Sequence, residues 1–465
     1  MTDILSKAAS AADIARAVSS GKAKASAVIE ATLKRIEAVE PTVNAFTDIV
    51  ADRARRRAIQ IDAGQHRGPL AGVPFAVKNL FDIEGLPTRA GSKINVDGPK
   101  ARRDGALVRK LEAAGAILVG GLNMGEYAYD FTGENAHYGP SRNPHDPTCM
   151  TGGSSGGSGA AVAAGEVPLA LGSDTNGSIR VPSSLCGLFG LKPTYGRLTR
   201  AGSFPFVDAL DHLGPLARST KDLAMSFDAM QGWDPDDPAC TDRPADMTVL
   251  SLEEGIAGLR IGIAGDYFAK GGEPEAFEAV ATVAKALGAT RTVVLPEAAA
   301  ARAAAYVITA MEGAQLHLER LKTRPQDFDG DTRERFMAGA LLPGIWYVKA
   351  QRFRRRFRTN VLKLFEEVDI ILAPATPRSA PKLGQTMMTI DGVELAVRAN
   401  LGLFTQPISF IGLPVVAVPV FGNQRGKPGA MPIGVQVIAK PYNEQAALRV
   451  SAWLEKQGVC VSTPA

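Results

Sequence analysis

Residues 150–190 read MTGGSSGGSGAAVAAGEVPLALGSDTNGSIRVPSSLCGLFG. The stretch places Ser154, Ser155 and Ser178 in glycine-rich surroundings and contains no histidine. Most serine hydrolases activate their nucleophile with histidine, so a serine-rich core lacking one calls for a different base, and lysine is the usual substitute. The GGSSGG turn feeds an alanine-rich run expected to be helical over residues 158–164. Residues 181–191 are expected to add turn or strand elements.

Outward from this stretch the pattern alternates. Before it, residues 1–60 form an N-terminal segment that reads as helices, with SAVIEATLKRIEAVEP repeating Val28, Ile29, Leu33 and Ile36 at helical spacing and stopping at Pro41. Residues 70–77 are a short apolar run broken by Pro74, and ALVRKLEAAG followed by AILVGG is a helix-to-strand step of α/β layering. After it, residues 259–264 read as a turn or strand, and residues 291–295, 369–373, 414–420 and 434–438 read as strands. Residues 273–291, 298–340 and 443–457 read as helices. The alternation has no repeat period, which predicts one large α/β unit over residues 61–455, with a more variable helical region at about 230–350.

Composition narrows the function. The 465 residues are 45% hydrophobic, enough for a large core, and 52 basic against 48 acidic residues give a net charge of only +4. That balance makes no global case for nucleic acid or an anionic membrane. KAQRFRRRFRTNVLK, at 349–363, is the one concentrated basic run, and reads as a solvated helix face with Phe353 and Phe357 packing inward. Cys149, Cys186, Cys240 and Cys460 are far apart and look like free thiols of a reducing compartment. The opening MTDILSKAAS carries no basic-then-apolar signal, and no window is apolar enough to span a bilayer, so a cytoplasmic enzyme is expected.

Ser178, in GSDTNGSIRVP, is the candidate nucleophile, since Gly172 and Gly177 let the backbone turn tightly and backbone amides around Thr175 to Ser178 could converge on an oxyanion. The plainer reading is a structural turn carrying an ordinary serine. Lys78, in GVPFAVKNLFD, is the candidate base at the end of an apolar run. Lysine has an ordinary pKa of about 10.4 and serves as a base near neutrality only when desolvation or neighbouring charge lowers it. The alternative pairs Lys78 with Asp82 or another carboxylate at the surface. No P-loop is present and the five histidines offer no obvious carboxylate partner, so neither cofactor nor metal is implied.

GGSSGGSGAAVAAG followed by LGSDTNGSIRVPSSLCGLFGLKPTYGR, with GVPFAVKN upstream and MPIGVQVIAKPYNEQ downstream, resembles the amidase signature family. The resemblance implies an α/β fold with a large central mixed β-sheet surrounded by α-helices. It also implies a Ser–cis-Ser–Lys triad, with Lys78 the general base acting through Ser154, and Ser154 bridging to Ser178, the nucleophile. The Gly153–Ser154 peptide would be cis and Ser155 would support the loop. The amides of Thr175, Asn176, Gly177 and Ser178 would form the oxyanion hole. Asp174 and Arg180 flank the nucleophile, and mutual pairing that braces the loop is the preferred reading; a contact from Arg180 to a substrate carboxylate is the second choice.

Two departures from the family pattern bear on substrate. Asn176 replaces the first of two glycines usual before the nucleophile, and Ser409 stands where N-x-x-G-x-P has its asparagine. With NLFDIEGLPTRAGSKIN and EYAYDFTGENAHYGPSRNPHD, they make the chain similar to the 1-carboxybiuret hydrolase branch of that family, which acts in s-triazine and cyanuric acid degradation. This implies an amidohydrolase that releases ammonia from a small polar amide or ureide, with Tyr127, Phe131, Asn135 and His137 lining or gating the pocket; the plainer alternative is that the aromatics pack the core beside it. A homodimer is implied, with a small accessory subunit in a heterotetramer and no membrane or nucleic-acid partner. Rival readings are the glutaminase subunit of an aminoacyl-tRNA amidotransferase, a broader aryl or aliphatic amidase, and a non-catalytic scaffold protein.

Overall fold

The computed structural model describes residues 3–421 and 430–464. Residues 422–429, inside the span assigned to the catalytic unit, lie outside the described residues. Eleven strands form one mixed sheet: β1 (Phe46–Ile49), β2 (Pro74–Lys78), β3 (Ile117–Leu122), β4 (Leu169–Ser173), β5 (Phe189–Lys192), β6 (Leu213–Ala217), β7 (Ile261–Ala264), β8 (Arg291–Val293), β9 (Ile370–Pro374), β10 (Val415–Val420) and β11 (Ile433–Ala439). Their spatial order is β1-β3-β2-β4-β6-β5-β10-β11-β9-β7-β8. β3, β2 and β4 run parallel, and the middle of the sheet from β4 to β9 is antiparallel throughout.

The central strands are buried on both faces, so they read as continuous apolar runs rather than alternating ones. Helices cover both sides. Those that position the site or bound it are α1 (Ala11–Ser19), α2 (Ala25–Val43), α3 (Ala51–Asp62), α4 (Gly156–Ala163), α5 (Arg180–Leu185), α6 (Ala298–Thr323), α7 (Gly330–Ala340) and α8 (Gly344–Leu364). The expected mixed α/β architecture is therefore present.

Several local expectations change. The N-terminal stretch is not purely helical: β1, between α2 and α3, pairs with β3 and forms one edge of the main sheet. Pro41 does not end α2, which runs on to Val43; so near the C-terminus the ring removes only one hydrogen bond. The stretch after Ser178 is a short helix, α5, before it becomes β5. On α8, Phe353 and Phe357 stack at 5.9 Å and Phe357 is fully buried; of the arginines between them Arg355 and Arg356 are exposed, while Arg354 is half-buried and donates to Phe410 O and Ala209 O. No helix among the described residues is long and apolar enough to cross a membrane.

Candidate active site

Parallel strands β2 and β4 lie side by side, with Val77 opposite Leu171, so their C-terminal residues Lys78 and Ser173 emerge together. Lys78 Nζ donates to Ser173 Oγ at 2.8 Å and to Ser154 Oγ at 2.6 Å. Ser154 sits in the loop leading into α4, where the Gly153–Ser154 peptide is cis. Around it the loop is closely held. Gly153 N donates to Phe131 O, Gly125 N donates to Ser154 O, and Ser155 Oγ bridges to the backbone of Ser173. A Cβ at Gly153 would collide with the Asp130 carboxylate, so only glycine fits there.

Lys78 is fully buried, and its pKa is lowered to about 7. Desolvation is the main cause, opposed by attraction to Asp211, Asp174 and Asp130. A lysine at the surface beside Asp82 is therefore not what the fold provides. A buried amine poised near neutrality can take up a proton and return it.

Ser178 lies in the loop between β4 and α5, 2% exposed, with its side chain on a cavity of about 90 Å³. No hydrogen bond joins it to Ser154 in this structure. Asp174 organises the loop. Its carboxylate accepts from the amides of Ile179 and Arg180 and from the Arg180 guanidinium at 2.8 and 2.9 Å. Burial would raise the Asp174 carboxyl, but Arg180 overcomes it and holds the group well below the usual range. Among the described residues nothing accepts from the amides of Thr175, Asn176, Gly177 and Ser178, which leaves them free for an anionic oxygen.

Gly177 has φ +151°, and a Cβ there would strike Thr405 Oγ1. Gly177→Ala is expected to displace these amides and lower kcat by roughly 10²-fold, the scale of losing one oxyanion donor. Steady-state kinetics, with a thermal melt confirming the fold, check this.

The remaining residues singled out in the sequence divide. Arg180 is fully buried and committed to Asp174, Thr405 O, Gln436 Oε1 and Ser409 Oγ; it braces the loop and does not face the cavity. Ser409, standing where the family has asparagine, closes this brace by donating to Asp174. Of the four proposed lining residues only Phe131 borders the cavity. Tyr127 packs in an aromatic cluster with its ring 3.9 Å from that of His317. Asn135 holds Gly91 O and Met124 O at 2.7 Å each, and His137 bonds Glu126 at 2.8 Å.

Asn176 borders the cavity, and its Nδ2 donates to Thr309 on α6. The other walls come from Tyr129, Asp130 and Phe206, from Tyr306 and Thr309 of α6, from Arg335 of α7, and from Arg398 and Gln406. A second cavity of about 160 Å³ lies behind Ser173 and Asp211, sharing Ala128, Thr175 and Phe206 with the first. The smaller one is the cavity that Ser178 borders, and it is therefore the candidate site. Ser173 could have been found beside Asp174 in GSD; Tyr306, Thr309 and Arg335 carry no local signal.

A serine–serine–lysine constellation at the C-terminal edge of this sheet defines an enzyme of the amidase class, and the family model for amidases matches residues 27–448: the chain belongs to the amidase family. Among its relatives is AtzE, a 1-carboxybiuret hydrolase subunit of Pseudomonas sp. (strain ADP). It is 54% identical over 451 residues, covering 96% of this chain and 98% of that one. A glutamyl-tRNA(Gln) amidotransferase chain of Azotobacter vinelandii (strain DJ / ATCC BAA-1303) is 38% identical over 472 residues, covering 95% of each. A solved structure described as an unexpected vestigial protein complex revealing the evolutionary origins of an s-triazine catabolic enzyme superposes with TM-score 0.95. It is 52% identical and covers 98% of this chain and 100% of that one.

Proposed function

We propose that this amidase hydrolyses a small ureide that carries a carboxylate, 1-carboxybiuret or a near analogue, and releases ammonia. The observation that carries the reading is Arg335. It borders the cavity containing Ser178 and uses one donor on Tyr129 O at 2.7 Å, with no acidic partner among the described residues. Its guanidinium lies 4.1 Å from the centre of the Tyr129 ring. A preoriented guanidinium with free donors suits a planar carboxylate. Arg398, the other cationic wall residue, is already paired with Asp331 at 3.0 Å. The 1-carboxybiuret hydrolase relative supports the same substrate class.

In the proposed reaction Ser178 Oγ attacks the scissile carbonyl, and its proton passes through Ser154 to Lys78. The free amides of the 175–178 loop hold the oxyanion. Ser154 returns a proton to the departing nitrogen, which leaves as ammonia, and water then cleaves the acyl-enzyme by the same route in reverse. Assembly with a small accessory subunit, in a homodimer-based heterotetramer, is part of the proposal. It draws on the solved complex and on the relative's designation as one subunit of its enzyme.

A screen of 1-carboxybiuret, biuret, allophanate, malonamide and glutamine, read by ammonia release, tests the reading. The carboxylated ureide is expected to give the highest kcat/KM. Arg335→Gln is expected to raise its KM roughly 10- to 100-fold, the scale of one lost charge-assisted hydrogen bond, and to leave biuret nearly unaffected. Glutamine turnover that depends on charged tRNA would instead assign the amidotransferase reaction, the reading favoured by the 38% identical relative.

A further inference from the structure

The 175–178 loop is tied at Asn176 from two directions. Its carbonyl accepts from Thr405 Oγ1 at 2.7 Å, and its side-chain Nδ2 donates to Thr309 Oγ1 at 2.8 Å. Asn176 and Thr309 are both buried, and both border the cavity containing Ser178. Thr309 lies on α6 one turn beyond Tyr306, on the face that forms one wall, and α7, which carries Arg335, packs on that same helix. The Asn176–Thr309 bond thus joins the loop whose amides are free to the helix pair that shapes the rest of the cavity.

The Asn176 side chain is only half satisfied. Its Oδ1 is buried and has no hydrogen-bond partner among the described residues. A buried, half-satisfied amide is unfavourable compared with a small apolar residue at the same place. Local choices that cost stability beside a nucleophile are where function is to be sought.

We propose that Asn176 is a positioning residue, whose bond to Thr309 fixes the direction of the 175–178 amides toward the developing oxyanion. The proposal rests on the reading of that loop as the oxyanion site. The bond acts through the backbone, so its contribution is felt in the transition state more than in substrate binding. Its absence lets the loop turn between the Thr405 tether and α5, and the amides then lose aim without loss of the fold.

The test measures kcat, KM and melting temperature for Asn176→Ala, Thr309→Val, the double variant and Thr309→Ser on the best substrate of the screen. Asn176→Ala and Thr309→Val are each expected to lower kcat about 10- to 100-fold, with KM changed less than about threefold. The double variant is expected to lose no more than either single change, because one bond is broken in all three. Thr309→Ser keeps the hydroxyl and recovers most of kcat. The double variant, in which neither partner is left buried and unpaired, holds or raises the melting temperature, opposite in sign to what a purely structural bond would give.

Unchanged kcat in both single variants overturns the proposal, as does a kcat loss in the double variant that tracks a fall in its melting temperature. Losses that simply multiply in the double variant do so as well. Wild-type protein inactive on every amide in the screen would instead overturn the hydrolytic reading itself, so the two failures are distinct.

Discussion

Ser178→Ala is expected to lower kcat by at least about 10⁴-fold on any amide the wild type hydrolyses, because no acyl-enzyme can form and only the oxyanion site and substrate binding remain. The variant should fold normally. The Ser178 hydroxyl has no hydrogen-bond partner among the described residues and opens on the cavity, so its removal leaves no buried group unpaired. Retained substrate binding with lost turnover is the expected pattern, visible as an unchanged Kd by calorimetry. Ser154→Ala tests a different link. It keeps the nucleophile and breaks the only hydrogen bond that Lys78 directs at the cis-peptide loop.

Lys78→Met is expected to lower kcat on the order of 10³–10⁴-fold, the upper range for general acid–base catalysis. Methionine is close in length and removes the burden of an amine in a fully buried site, so the melting temperature is expected to hold. The same residue predicts the pH profile. With a pKa of about 7, set mainly by burial, Lys78 is protonated and inactive as a base below that value and neutral above it. The kcat/KM of the wild type therefore rises through a midpoint near pH 7 and levels off on the alkaline side, where an unperturbed lysine would still be climbing past pH 9. In Ser173→Ala, which removes a 2.8 Å acceptor of the charged amine, the midpoint is expected to move down, because the protonated form loses a hydrogen bond.

The sequence was most informative where chain neighbours are also site neighbours. Lys78 closes an apolar run that becomes β2, and Ser154 and Ser178 sit in one glycine-rich stretch flanking α4 and β4, so their chemistry is written locally. Arg180 was legible as Asp174's partner for the same reason, six residues away. β4 and β6 were harder to see, because LALGS and LGPLA lack the β-branched and aromatic residues that mark a strand. They are strands because both faces are covered, a tertiary fact.

The cavity walls were not legible for a related reason. Tyr306, Thr309 and Arg335 belong to helices whose apolar pattern describes only how they pack on the core, and Arg398 and Gln406 arrive from another part of the chain. Tyr127, Asn135 and His137 were expected at the pocket from the resemblance to the 1-carboxybiuret hydrolase branch. In the fold their polar atoms are used within the 91–138 loops, on Asn95, Gly91, Met124 and Glu126.

In the proposed reaction Ser178 carries the acyl group, and Ser154 acts only as the proton bridge to Lys78. Acid quenching during steady-state turnover, cleavage after Glu166 to separate the two serines, and peptide mass spectrometry test this directly. An acyl adduct is expected on the fragment containing Ser178 and none on the fragment containing Ser154; an adduct on Ser154, or full turnover by Ser178→Ala, would overturn the assignment.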